Sequence, residues 1–253
     1  MEKSMSRALI IAGLLLAVGM STAAFIFSLE VKHIGAGRQS ISVKGLAEKP
    51  IKADYAQWTV TAQAQGQTYA DALQGLRAAR PALDEFLRKS GFDKAAIEED
   101  TENVSPNMVD EETNNGQVHQ VQKGFVAHQD LLITSHDLTK IAAAHKAAVQ
   151  FIADGHPVAD AAPLYLVSNL EDVKMSLIGA ATKNARQRAE EFAKNGNVKV
   201  GAMHSASQGA FYILPPAAAQ ESGVNDYGGT YDKTTVDKLA RVVVTIEYNS
   251  TAD

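Results

Sequence analysis

Apolar and polar positions change period several times along the chain, and each change marks an element. The first 29 residues have no polar face at all: Ala8 to Leu29 is a run of 22 residues without a charge. That length suffices for one helix to cross a bilayer. From residue 55 the period becomes two. Tyr55, Gln57, Thr59, Thr61, Gln63 and Gln65 alternate with Ala56, Trp58, Val60, Ala62 and Ala64, which predicts an antiparallel strand with one wet face and one packed face. The period then lengthens to that of a helix. Tyr69, Leu73, Leu76, Leu83, Phe86 and Leu87 predict an amphipathic helix over 68–90, ended by Gly91 and carrying Pro81, where the missing amide hydrogen predicts a kink or break.

Residues 97–109 and 118–134 read as two strands of a hairpin around the polar turn 110–116. Asp137 is placed to cap a helix bearing Leu138, Ile141, Ala148, Val149 and Ile152, which stops at Gly155 before Pro157. A short strand over 164–167 precedes the longest helix, 171–195. There Val173, Leu177, Ala181, Ala185, Ala189 and Phe192 predict a face of mostly small residues lying close against a sheet. Strands over 198–214 and 238–249 follow, the second with Val242, Val244, Ile246 and Tyr248 on one face. Between them, 215–236 holds Pro215, Pro216, Gly223, Gly228 and Gly229 without an apolar period, which predicts a mobile loop or an interaction surface. The order of elements predicts an α+β fold of antiparallel sheets with packed helices, preceded by one N-terminal transmembrane helix.

Composition narrows the function. Lys3 and Arg7 ahead of the apolar run, against Glu2 alone, place residues 1–7 in the cytoplasm by the positive-inside bias, with Ile10, Leu14, Leu15, Leu16, Val18, Phe25, Ile26 and Phe27 as anchor residues within 8–29. Residues 30–38 are then a linker, 39–249 the folded domain, exported across the membrane, and 250–253 a tail. The alternative is a signal peptide cleaved near Ser21, Thr22 and Ala23, releasing the exported chain. A net charge of −5 argues against a nucleic-acid binder, which needs a basic face. With no Cys, disulfides, thiolate nucleophiles and thiolate metal sites are all excluded.

Motifs for chemistry are weak. Asp110, Glu112 and Asn114 have the spacing of the first ligands of a calcium loop, but Asn115 and Val121 stand where such a loop needs glycine and a bidentate carboxylate. The seven histidines lack ligand spacing, as in the pairs His119/His128 and His136/His145. Ser135, His136 and Asp137 look like a helix start and not a triad, with no Gly-x-Ser-x-Gly in the chain. Lys174, Lys183, Arg186, Arg188 and Lys194 on the long helix interleave with Glu171, Asp172, Glu190 and Glu191, as on a solvated face with local ion pairs. The expectation is therefore no catalytic, cofactor-binding or metal-ligating residue.

The segments Leu164-Tyr165-Leu166, Leu170-Glu171-Asp172-Val173-Lys174, Ala181-Thr182-Lys183-Asn184-Ala185-Arg186, Ala189-Glu190-Glu191-Phe192-Ala193 and Ala206-Ser207-Gln208-Gly209 resemble the SIMPL-domain family of bacterial periplasmic or membrane-anchored proteins, which includes immunogenic and oxidative-stress-associated members. The opening Ser42 to Glu48 and the closing Val242 to Tyr248 fit the same family. The resemblance implies an α+β fold, homo-oligomeric ring assembly, a place beyond the inner membrane in the periplasm, whether tethered or released by signal cleavage, an envelope or oxidative-stress role, and no catalytic residues. The expected partners are the membrane and further copies of the chain. A small-ligand binding module and an envelope enzyme are the alternatives.

Overall fold

The computed structural model describes residues 16–26, 40–112, 118–217 and 229–252. Nine strands and three helices follow the first of these segments: β1 (Ser40–Lys52), β2 (Tyr55–Gly66), α1 (Tyr69–Lys89), β3 (Ile97–Glu99), β4 (Asn103–Glu112), β5 (Val118–Ser135), α2 (Leu138–Ala153), β6 (Val158–Asp160), β7 (Leu164–Leu166), α3 (Leu170–Asn195), β8 (Val198–Leu214) and β9 (Asp237–Ala252). The fold is mixed helix and antiparallel sheet. It divides into two compact units: Met1–Glu48, Lys174–Phe211 and Arg241–Asp253 form the first, and Lys49–Val173 and Tyr212–Ala240 the second.

The second unit is organised by β2. Its alternation is realised: Ala56, Trp58, Val60 and Ala62 are buried, while Gln57, Thr59 and Thr61 on the other face are only partly covered. β2 lies at the centre of a six-stranded sheet, in the order β3-β5-β2-β6, with β4 beside β5 and β7 beside β2. Its antiparallel register with β5 runs from Ala56↔Ser135 to Gly66↔Phe125. One core cluster joins the apolar face of β2 to Ala72, Leu76, Leu83 and Leu87 of α1 and to Ile141, Ala144 and Ala148 of α2. Helices thus cover one sheet face and leave the other polar, where Thr61 Oγ1 donates to Asp130 Oδ1 at 2.5 Å.

Local chemistry sets the ends of both helices. Thr68 caps α1 through a reciprocal box: its side chain accepts from the Asp71 amide, and the Asp71 carboxylate accepts from the Thr68 amide. Asp137 caps α2 by accepting from the Lys140 amide at 2.9 Å. Gly155, at φ 94°, takes the left-handed conformation just beyond it. The break expected at Pro81 does not occur, and α1 runs through it without interruption. Leu76 before Pro81 and Leu83 and Leu87 after it all enter the same core, so burial on both sides holds the helix together across the lost hydrogen bond.

Three further expectations need correction. The single strand over 97–109 is divided at 100–102, because the Asp100 amide donates to Asp130 O while its carbonyl accepts from Gln129 Nε2. β6 was not visible as an apolar run, having only three residues. β9 continues to Ala252, so 250–252 extend the strand instead of forming a tail.

The first unit contains most of a three-stranded sheet, ordered β1-β9-β8, and the bulk of α3. The small-residue face of α3 is real: Leu177, Ala181, Ala185, Ala189 and Ala193 are buried at every fourth position. Gly45 of β1 shows why small residues are needed, since a Cβ there would lie 2.1 Å from the Ala181 carbonyl oxygen and 2.8 Å from the Ala185 Cβ. Phe192, placed on this face by the sequence, is 63% exposed. Ala193 takes its place because it continues the four-residue step from Ala189.

Residues 16–26 are helical, and Leu16, Val18, Phe25 and Ile26 are more than half exposed on them. Among the described residues no helix is long and apolar enough to cross a membrane. Ile10, Leu14, Leu15 and Phe27, the segment 1–7 and the linker 30–38 lie outside the described residues.

Candidate functional site

Several of the residues singled out for chemistry in the sequence make structural hydrogen bonds. Ser135 Oγ accepts from the Asp137 amide at 3.0 Å, and His136 turns away, its Nδ1 lying 2.8 Å from the Asp54 carbonyl oxygen. A carbonyl partner makes Nδ1 the protonated nitrogen, and no serine hydroxyl is engaged. Asp54 accepts instead from the Ser168 amide at 2.9 Å and from Ser168 Oγ. Burial pushes the Asp54 carboxyl up, and the two Ser168 hydrogen bonds outweigh it and bring the carboxyl below its ordinary value. Asp110 and Glu112 lie on β4, and Asn114 is outside the described residues. His145 Nε2 lies 3.1 Å from Asp160 Oδ2, whose other oxygen accepts from the buried Trp58 Nε1 at 2.6 Å, and His156 stacks on Phe151 at 3.8 Å. Among the described residues no group of three or more His, Asp or Glu could hold a metal ion. On α3, Arg186 pairs with Glu190 at 2.7 Å, as the interleaved charges suggest.

Residues 229–236, read from sequence as part of a mobile loop, are tied into the second unit. Tyr231 bridges to Ile213, and its hydroxyl accepts from the Val167 amide at 2.9 Å. The Asp232 carboxylate accepts from the Thr234 amide and hydroxyl, from the Thr235 hydroxyl and from Lys238 Nζ at 3.3 Å, while Nζ also donates to the Asp232 carbonyl at 2.6 Å. The Lys238 side chain is fully buried. Burial alone would push the Asp232 carboxyl up, but these donors together hold it far below the usual carboxylate range.

What remains without an internal structural role is a set of surfaces. The first is a ribbon. β4 and β5 pair from Asn103↔His128 to Glu112↔Val118, whereas the β2 ladder ends at Gly66↔Phe125, so residues 107–112 and 118–123 form a two-stranded ribbon beyond the end of β2. The ribbon is aimed by two irregularities facing each other across the strands. The register shifts between Pro106 and Met108, and Gly124 sits at φ 79° with its Cα so close to the Gly66 carbonyl oxygen that a Cβ would fall 2.3 Å from it. Asn107 Nδ2 donates to the Lys123 carbonyl at 3.3 Å across the bend. Pairing puts Met108, Asp110, Glu112, Val118, Gln120 and Gln122 on one ribbon face. All six are exposed, Met108 at 49% and Val118 at 66%.

The second is a groove of about 640 Å³ in the first unit, bounded by β1 and the last turns of α3. Val43 and the exposed Phe192 supply apolar wall, Lys44 and Arg188 supply positive charge, and Glu191 and Asn195 close the rim. Arg188 Nη1 donates to the Lys44 carbonyl at 3.0 Å, which fixes the guanidinium beside the groove. The third is β8. It has one sheet neighbour, and residues 202–209 are exposed throughout with neither charge nor proline to blunt the edge.

Periodicity did not reveal the ribbon, because what marks it is the lack of a buried face on either strand. Phe192 could have been found by following the alanine series at steps of four.

No curated protein matches the chain. A family profile described as "SIMPL: Protein of unknown function (DUF541)" matches residues 41–248, which takes in every strand and helix from β1 to most of β9. With so much of its length matched, the chain belongs to the SIMPL family.

Proposed function

We propose that this chain is a non-enzymatic bacterial envelope protein, tethered to the inner membrane by its N-terminal apolar segment, whose periplasmic SIMPL domain self-associates, with a role in protection against envelope or oxidative stress. The observation that carries the reading is the ribbon of 107–112 and 118–123. An isolated two-stranded ribbon is marginal in water, so one with no buried residue on either face and built with a defined bend gains its stability from a surface it meets. A second copy is the most economical source of that surface, and many copies would turn individually weak contacts and anchors into a multivalent structure. The exposed Leu16, Val18, Phe25 and Ile26 support tethering, since side chains of this kind on one short helix favour apolar surroundings.

Native mass measurement on the full chain, extracted from membranes in mild detergent, tests the reading. Masses at several multiples of 27.0 kDa are expected. A monomer at every concentration would overturn self-association. The groove at Val43 and Phe192 favours a second reading, a small-ligand binding module. Thermal-shift screening would support it if an amphipathic ligand raised the melting temperature of wild type and not of Phe192→Glu.

A further inference from the structure

Self-association leaves open which surfaces meet. Three observations on the ribbon and the groove bear on it. First, the exposed ribbon face combines two apolar side chains, Met108 and Val118, with two carboxylates, Asp110 and Glu112, while Lys123 is committed across the ribbon to Glu111. Second, the groove combines an apolar wall at Val43 and Phe192 with the cations of Lys44 and Arg188, against one carboxylate, Glu191. Third, an exposed Phe at 63% beside a concave apolar surface is costly in water unless it is covered. The two surfaces match in kind, apolar to apolar and acid to base.

We propose that the Met108/Val118 face of the ribbon of one chain seats in the Val43/Phe192 groove of a second copy, with Asp110 and Glu112 facing Arg188 and Lys44. The proposal rests on self-association and gives it a geometry. Ribbon and groove are different surfaces of the chain, so the contact is head-to-tail and leaves the groove of one copy and the ribbon of the other still to use. Such a contact propagates, closing into a ring when the rotation per copy allows. Phe192 is the expected centre of the contact, because aromatic side chains in desolvated pockets carry most of an interface's binding energy. The charges set register and salt dependence.

The absence of Cys makes the contact directly testable. Full-length chains carrying only Val118→Cys and only Phe192→Cys are mixed and treated with a short bis-maleimide. Cross-linked dimer is expected in the mixture well above the level in either chain alone. In parallel, native mass and dilution series are taken for wild type, Val118→Glu, Phe192→Glu, Arg188→Glu and Asp110→Lys/Glu112→Lys. Each variant should assemble only at concentrations roughly tenfold or more above wild type, with its thermal melt retained. Combining Arg188→Glu with Asp110→Lys/Glu112→Lys should restore part of the loss. If wild type itself is monomeric, the self-association reading fails and this contact fails with it. If wild type assembles but the Phe192 and Val118 variants assemble equally well, or the mixed single-cysteine chains give no more cross-linked dimer than either chain alone, this contact is wrong while self-association stands. Loss of assembly in Ser207→Lys with no effect at Phe192 would likewise overturn it, in favour of the β8 edge.

Discussion

Lys238 and Asp232 show how a single pair can convert an unpatterned segment into part of a folded unit. The Lys238 ammonium is wholly enclosed and the Asp232 side chain is 7% exposed, so each charge is tolerable only because the other is present. Removing one partner strands the other: Asp232→Ala should cost about 3–5 kcal/mol in urea unfolding. Replacing both, as in Asp232→Leu with Lys238→Met, should recover much of that loss. The pH dependence has a definite sign. The folded carboxyl titrates far below its unfolded value of about 3.9, so its stabilisation is fully present above that value and is lost as pH falls from there toward the folded pKa. Acid unfolding of wild type should therefore steepen below about pH 4, and Asp232→Asn should show a shallower acid slope from a lower neutral-pH stability.

Among the elements, β1 and α3 are in contact because neither carries bulk at the crossing. Gly45→Ala should destabilise by about 1–3 kcal/mol, because the new methyl meets the Ala181 carbonyl, which belongs to a regular helix and cannot retreat. Gly179→Ala is the control on the same helix: nothing lies within 4 Å of its Cβ position, so the change should stabilise by about 0.5–1 kcal/mol. α1 gives the opposite case. Pro81 is carried by the core contacts on either side of it, and Pro81→Ala restores an amide donor at the expense of a less restricted unfolded chain, for a net gain of about 1–2 kcal/mol by urea melts. Unchanged or lower stability would mean that the helix is already adapted to the missing donor.

For the whole molecule, the first unit is assembled from three stretches far apart in sequence, residues 40–48, 174–211 and 241–252, whereas the second takes most of its residues from one stretch, 49–173, with 212–240 added to it. Closing contacts over such separations is slow, so the second unit should gain protection from hydrogen exchange before the first during refolding. Topology is a prediction at this scale too. A reporter active only outside the cytoplasm, fused after Asp253, should function, while a cytoplasmic reporter active at that position would reject the proposed orientation. Intact mass retaining residues 1–29 separates a tether from a cleaved signal.

The sequence by itself determined the elements whose burial is periodic. β2 shows alternation because one side of it meets helices, α3 shows alanine every fourth residue because that side meets a sheet, and Asp137 caps α2 through a bond spanning only three residues. These are local consequences of backbone geometry, so a short window carries them. Tertiary structure decided what depends on partners distant in the chain. It excluded Phe192 from the packed face, carried α1 through Pro81, divided the strand at Asp100 by a bond to Asp130, tied Tyr231 to Val167 and made β4 and β5 outrun β2. Phe192 apart, which the alanine step of four betrays, none of these leaves a period behind, because each is fixed by contacts between residues that sequence spacing does not relate.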